Sequence, residues 1–158
     1  MNYFHYKQNF GLESGKVLPE VTISYTTYGK LNKQKDNVVW VCHALTANSE
    51  AMDWWPGVIG NDCVINPDKY FIVCANILGS CYGSTGPLST NPNTGKPYFN
   101  DFPSITIRDM VSAHQLLRDY LGVDKIHLLM GGSMGGYQVL EWALMEPDQL
   151  DLLFVIAT

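Results

Sequence analysis

A serine set among glycines, Gly131-Gly132-Ser133-Met134-Gly135-Gly136, follows the apolar run Ile126-His127-Leu128-Leu129-Met130, and a helical pattern comes after it. A strand that runs into Gly-x-Ser-x-Gly and then a helix is the context in which a serine hydroxyl becomes a nucleophile. The flanking glycines permit a tight turn and a close approach of strand and helix. That turn leaves Ser133 at a helix N-terminus, where free N–H groups and the helix dipole favour developing negative charge. The missing Gly-Lys-Ser/Thr ending excludes a Walker-type phosphate loop. A glycine-rich turn without chemistry, or another phosphate-binding turn, is the alternative.

Acyl transfer through a serine needs two N–H donors for the oxyanion. The backbone amide after the nucleophile is one, here Met134. The second comes from the loop after an earlier central strand. His43-Ala44-Leu45-Thr46 directly follows the apolar run Val38-Val39-Trp40-Val41-Cys42, which makes the Leu45 amide the candidate. The nucleophile also needs a base, and the base an orienting acid. With a nucleophile elbow these partners follow in the order Ser, Asp or Glu, His. No histidine follows Ser133. Asp148 and Asp151 do, but they fall between the helix and the next strand and read as surface residues. His114 on an apolar helix face and His127 inside a strand read as satisfied core or boundary residues. His5 belongs to the leading strands, and His43 reads as a residue that fixes its loop.

The elements that must position these groups are legible as periodicities. Val21 to Tyr28 alternates as a half-buried antiparallel strand, with the first ten residues pairing onto it. The runs 38–42, 70–75, 126–130 and 152–156 read as strands buried on both faces, which suits a parallel sheet covered by helices. Thr106 to Leu121 reads as an amphipathic helix with a capping-box start at Thr106 and Asp109 and a stop at Gly122. Met134, Tyr137, Leu140 and Leu144 mark the apolar face of the helix after the serine. Residues 77–103, rich in Gly and Pro, read as a long ordered loop of functional type. The fold class is therefore α/β, a mostly parallel sheet with a leading antiparallel hairpin.

With 158 residues, 46% hydrophobic and 16% charged, the chain has the composition of one globular domain. A net charge of −5 and scattered lysines and arginines give no general attraction to nucleic acid or to an anionic membrane. There is no signal-peptide core and no apolar run long enough to span a bilayer. Cys42, Cys63, Cys74 and Cys81 form no Cys-x-x-Cys pair, so neither a metal site nor a disulfide framework is expected, and the cytoplasm is the expected location.

Four blocks together carry a family resemblance: His43-Ala44-Leu45-Thr46, Asn76 to Pro87 (Asn-Ile-Leu-Gly-Ser-Cys-Tyr-Gly-Ser-Thr-Gly-Pro), Phe102 to Met110, and Gly131 to Gly136 with Glu141-Trp142-Ala143. The chain resembles the homoserine O-acetyltransferase family along essentially its whole length. The resemblance implies an α/β-hydrolase fold and a ping-pong reaction. Acetyl-CoA, a co-substrate rather than a bound cofactor, acylates Ser133, and L-homoserine then takes the acetyl group, a step of methionine biosynthesis. Ser133 matches the nucleophile, the Leu45 and Met134 amides match the oxyanion positions, and no metal is required. Members are about twice this length and work as homodimers. They carry a helical lid, the catalytic Asp and the catalytic His in the part that follows. The chain is thus expected to be the N-terminal part of a single domain, truncated after the strand that follows the nucleophile helix, and to lack turnover by itself. Phe99 departs from the pattern, standing where the family usually has Gly. A succinyl donor, a serine acceptor, a serine ester hydrolase and a non-catalytic remnant are the alternatives.

Overall fold

The computed structural model describes residues 1–158. Six strands form the main sheet: β1 (Asn2–Tyr6), β2 (Val21–Tyr28), β3 (Val38–Cys42), β4 (Phe71–Ala75), β5 (Ile126–Gly132) and β6 (Leu150–Ile156), in the order β1-β2-β4-β3-β5-β6. β1 and β2 pair antiparallel, as do β2 and β4; β4, β3, β5 and β6 run parallel. The helices are α1 (Ala51–Trp54), α2 (Ile107–Tyr120) and α3 (Met134–Met145). None is long and apolar enough to cross a membrane.

Alternation along the central strands divides the core in two. Val38, Trp40 and Cys42 face Val111, Leu117, Val139 and Trp142 of α2 and α3. Val39 and Val41 face the opposite way, onto Ala51, Ile59 and Ile65 from the stretch that follows the first loop. The two buried thiols, Cys42 and Cys74, therefore lie on opposite faces of the sheet. Every residue of β3 is buried, as a parallel strand covered on both sides requires.

α2 starts with the expected capping box: the Asp109 N–H donates to Thr106 Oγ1, and the Thr106 N–H donates to the Asp109 carboxylate at 2.9 Å. Arg118 of α2 pairs with Glu146 just past α3, and Trp142 Nε1 donates to the same carboxylate, which locks the two helices together.

Three expectations need correction. The 152–156 strand, expected to be buried on both faces, forms the sheet edge, and Leu152 to Ile156 are 37–54% exposed. Only α3 flanks it, so one pairing and one packed neighbour are not enough to bury it. In α3 the core takes Gly135, Gln138, Val139 and Trp142, whereas Tyr137, Leu140 and Leu144 face outward. The glycines decide this face, because only a side without Cβ atoms can approach the sheet so closely. His114 is fully buried but unsatisfied, since neither ring nitrogen has a hydrogen-bond partner.

Candidate active site

The parallel register sets Cys42 beside Ala75 on one side and beside Gly131 on the other. β3, β4 and β5 therefore end at one level, and the loops that follow them leave the same edge of the sheet. This is where ligands bind in open α/β sheets.

At the end of β5 the backbone turns sharply. Ser133 has φ 53° and ψ −124°, a conformation that side chains rarely adopt. The turn is held from both directions: the Ser133 N–H donates to Ile156 O at 3.0 Å, and the Gly136 N–H donates to Ser133 O at 2.9 Å. A Cβ on Gly131 would lie 2.4 Å from Gly135 O, and one on Gly135 would lie 2.1 Å from Cys42 O. The first glycine closes the turn, and the second lets α3 rest on the end of β3. Ser133 is exposed, and its hydroxyl makes no hydrogen bond to any of the four histidines.

The loop after β3 is fixed by His43, which is fully buried. Its Nε2 accepts from the Ile77 N–H at 3.3 Å, so Nδ1 carries the proton and donates to Ala44 O at 2.7 Å. Burial pushes its pKa down, partly opposed by the Ala44 carbonyl, and keeps the ring in the neutral form this pattern requires. Leu45, next along the loop, is 68% exposed, and its N–H makes no backbone hydrogen bond. Met134 opens α3, so its N–H has no preceding turn to donate to.

These groups meet at one cavity. A hollow of about 420 Å³ is walled by Leu45, Ile77, Leu78, Ile105, Met110 and Met134, among others. The structure thus brings Leu45 and Met134 to the lining of one cavity, and Ser133 directly precedes Met134 in the chain. His5 lies on β1 and bonds Thr22, and His127 stacks on Tyr70 and faces Asp151. Asp151 sits near the start of β6, where Lys125 and His127 hold its carboxyl below its usual range.

Sequence reasoning misses the support beneath this cavity. Asn76 follows β4 directly and is fully buried with Ser24 and Ser49. Its amide reaches both loops that wall the hollow. The one available signal is an amide-bearing residue placed immediately after an apolar strand.

The α/β hydrolase fold family matches residues 37–158. The chain is 53% identical over 155 residues to a homoserine O-acetyltransferase of Cyclobacterium marinum, covering 98% of this chain and 44% of that protein. It is 55% identical over 144 residues to a homoserine O-acetyltransferase of Chlorobaculum parvum, covering 91% and 40%. Among solved structures, homoserine O-acetyltransferase from Bacillus anthracis superposes with a TM-score of 0.90 at 32% identity, over 98% of this chain and 45% of the other. The esterase E22 superposes with a TM-score of 0.86 at 32% identity, over 94% and 45%. The chain spans less than half the length of the curated relatives it matches.

Proposed function

The chain belongs to the α/β-hydrolase fold family, and on that footing we propose that Ser133 is the nucleophile of an acyltransferase that moves an acetyl group from acetyl-CoA to the hydroxyl of L-homoserine. One observation supports this: an exposed serine on a strained turn directly precedes Met134, and Met134 and Leu45 line one cavity. The relatives named homoserine O-acetyltransferase support homoserine as the acceptor and acetyl as the group moved.

In the first step the Ser133 oxygen attacks the thioester carbonyl and passes its proton to a base. The carbonyl oxygen becomes an oxyanion held by the Leu45 and Met134 N–H groups. The C–S bond then breaks, the CoA thiolate takes the proton, and Ser133 carries the acetyl ester. In the second step the homoserine hydroxyl attacks that ester, its proton returns through the same base, and Ser133 is released with O-acetyl-L-homoserine. No histidine of residues 1–158 hydrogen-bonds Ser133, and in this scheme the base and its carboxylate are supplied by further polypeptide, as the family resemblance implies. In this scheme the product feeds methionine biosynthesis, and the enzyme works as a cytoplasmic homodimer.

A second reading, ester hydrolysis, is favoured by the similarity to esterase E22, since water can replace the acceptor hydroxyl. Product partition separates the two. With labelled acetyl-CoA and L-homoserine, the full-length protein is expected to yield labelled O-acetylhomoserine as the main product. Labelled acetate as the main product, unaffected by homoserine, would favour the esterase.

A further inference from the structure

Beneath the cavity lies a polar chain that takes no part in bond making. Asn76 is at its centre. Its backbone N–H donates to Ser24 O at 2.8 Å, which continues the ladder one residue past β4. Its side-chain Nδ2 lies 3.0 Å from Ser24 Oγ, 3.1 Å from Ser49 Oγ and 3.0 Å from Tyr82 O. Its Oδ1 is buried without a partner. The amide is therefore used as a donor, and Tyr82 O, which can only accept, fixes its orientation, since the flipped form would set Oδ1 against that carbonyl.

The hydrogens of the chain can be assigned from its ends. A carboxylate only accepts, so Thr26 Oγ1 donates to Glu50 Oε1 at 2.8 Å. Thr26 Oγ1 then accepts from the Ser49 hydroxyl at 3.0 Å, which leaves Ser49 Oγ to accept from Asn76. Tyr28 donates to the other oxygen of Glu50 at 3.0 Å. On the second arm Ser24 Oγ donates to Tyr82 O at 2.6 Å and accepts from Asn76. Along each arm the donors point away from Asn76, so each bond polarises the next, and the arms end on the Glu50 carboxylate and the Tyr82 carbonyl.

Both arms terminate in segments that form the cavity. Ser49 closes the stretch after β3 that carries Leu45, and Tyr82 belongs to the loop after β4 that lines the same cavity. One residue on, the Ile77 N–H bonds His43 and ties the same two segments again. We infer that Asn76 is a positioning residue of the acyl-transfer site, its side-chain amide holding the Leu45 loop and the Tyr82 segment in the register that points the oxyanion donors at one place.

This inference rests on the acyl-transfer reading, and the test separates the two. Asn76→Asp keeps the side chain's shape but replaces its two N–H donors with an acceptor facing the Tyr82 carbonyl. In the full-length protein, kcat for acetyl transfer per acylatable Ser133 is expected to fall about 100-fold, the size of loss that small misplacement of a reacting group brings. KM for acetyl-CoA should stay within about threefold, because the donor's own binding contacts are kept. A variant that loses melting temperature but keeps parental kcat per acylatable site overturns the inference. If Asn76→Asp does not fold, Ser49→Ala decides, since it removes one acceptor of the three. A kcat reduced about tenfold at unchanged KM supports the positioning role, and an unchanged kcat overturns it. A parent protein that leaves Ser133 unacylated defeats the acyl-transfer reading itself, before any variant is compared.

Discussion

Ser133 holds a backbone conformation, φ 53°, that costs on the order of 1–3 kcal/mol for a residue with a side chain. The cost is tolerated because the turn leaves the serine exposed, directly before Met134 of the cavity lining. Phe99 carries a related strain at φ 46°, and its ring is 60% exposed, so packing returns little for it. The conformation accounts for the Gly that the family pattern has there. Phe99→Gly should therefore be more stable than Phe99→Ala by about 1 kcal/mol, because alanine keeps the left-handed strain that glycine removes. Denaturant unfolding of the two variants checks this, and equal stability would mean that the turn relaxes. The elbow is legible from sequence because glycine spacing, strand and helix all mark one turn. Asn76 is not, because its role depends on Ser24 and Ser49, residues 52 and 27 positions away in sequence, whose side chains meet only after the sheet is assembled.

Helix α2 brings a buried titratable group between the sheet and α3. His114 lies 6.1 Å from the Trp40 ring and 6.4 Å from the Trp142 ring, centroid to centroid. Burial, then repulsion from His43, pushes its pKa down to about 3. The folded state thus keeps His114 neutral while the unfolded chain takes up a proton below about pH 6.5. Stability is complete above pH 6.5 and falls as the pH drops from there toward 3, by about 1.4 kcal/mol per pH unit from this group alone. His43, also lowered, acts in the same direction. His114→Phe should flatten the acid limb of the stability profile, measured by denaturant unfolding between pH 7 and pH 4. An unchanged slope would show that His114 is protonated in the native state. The position of α2 and its cap are legible from local signals, Thr106 with Asp109 and a 3.6-residue period. The buried face of α3 is not. Its apolar stripe of Tyr137, Leu140 and Leu144 points one way, whereas close approach at Gly135, 2.1 Å from Cys42 O to a built Cβ, turns the other way inward.

Across the whole molecule, apolar surface concentrates at one edge. β6 exposes Leu152 to Ile156, and the Tyr137, Leu140 and Leu144 stripe of α3 lies uncovered as well. An apolar edge strand with unpaired N–H and C=O groups is a template for association. Residues 1–158 produced by themselves should therefore self-associate as concentration rises, seen by light scattering, and Leu153→Lys on this edge should reduce that association. A monomer at all concentrations would show the edge to be protected. The parallel order of the sheet and its antiparallel start are legible from the contrast between continuous and alternating apolar runs. The exposure of the last strand is not, because burial depends on what lies beside a strand and not on its own residues.

These scales meet at a single covalent bond. The decisive measurement is mass spectrometry of the full-length protein after mixing with acetyl-CoA in the absence of homoserine. An acetyl group on the peptide that contains Ser133 is expected, chased off by L-homoserine and absent from Ser133→Ala. Sustained formation of O-acetylhomoserine with Ser133 unmodified, or by the Ser133→Ala protein at the parental rate, would contradict the account.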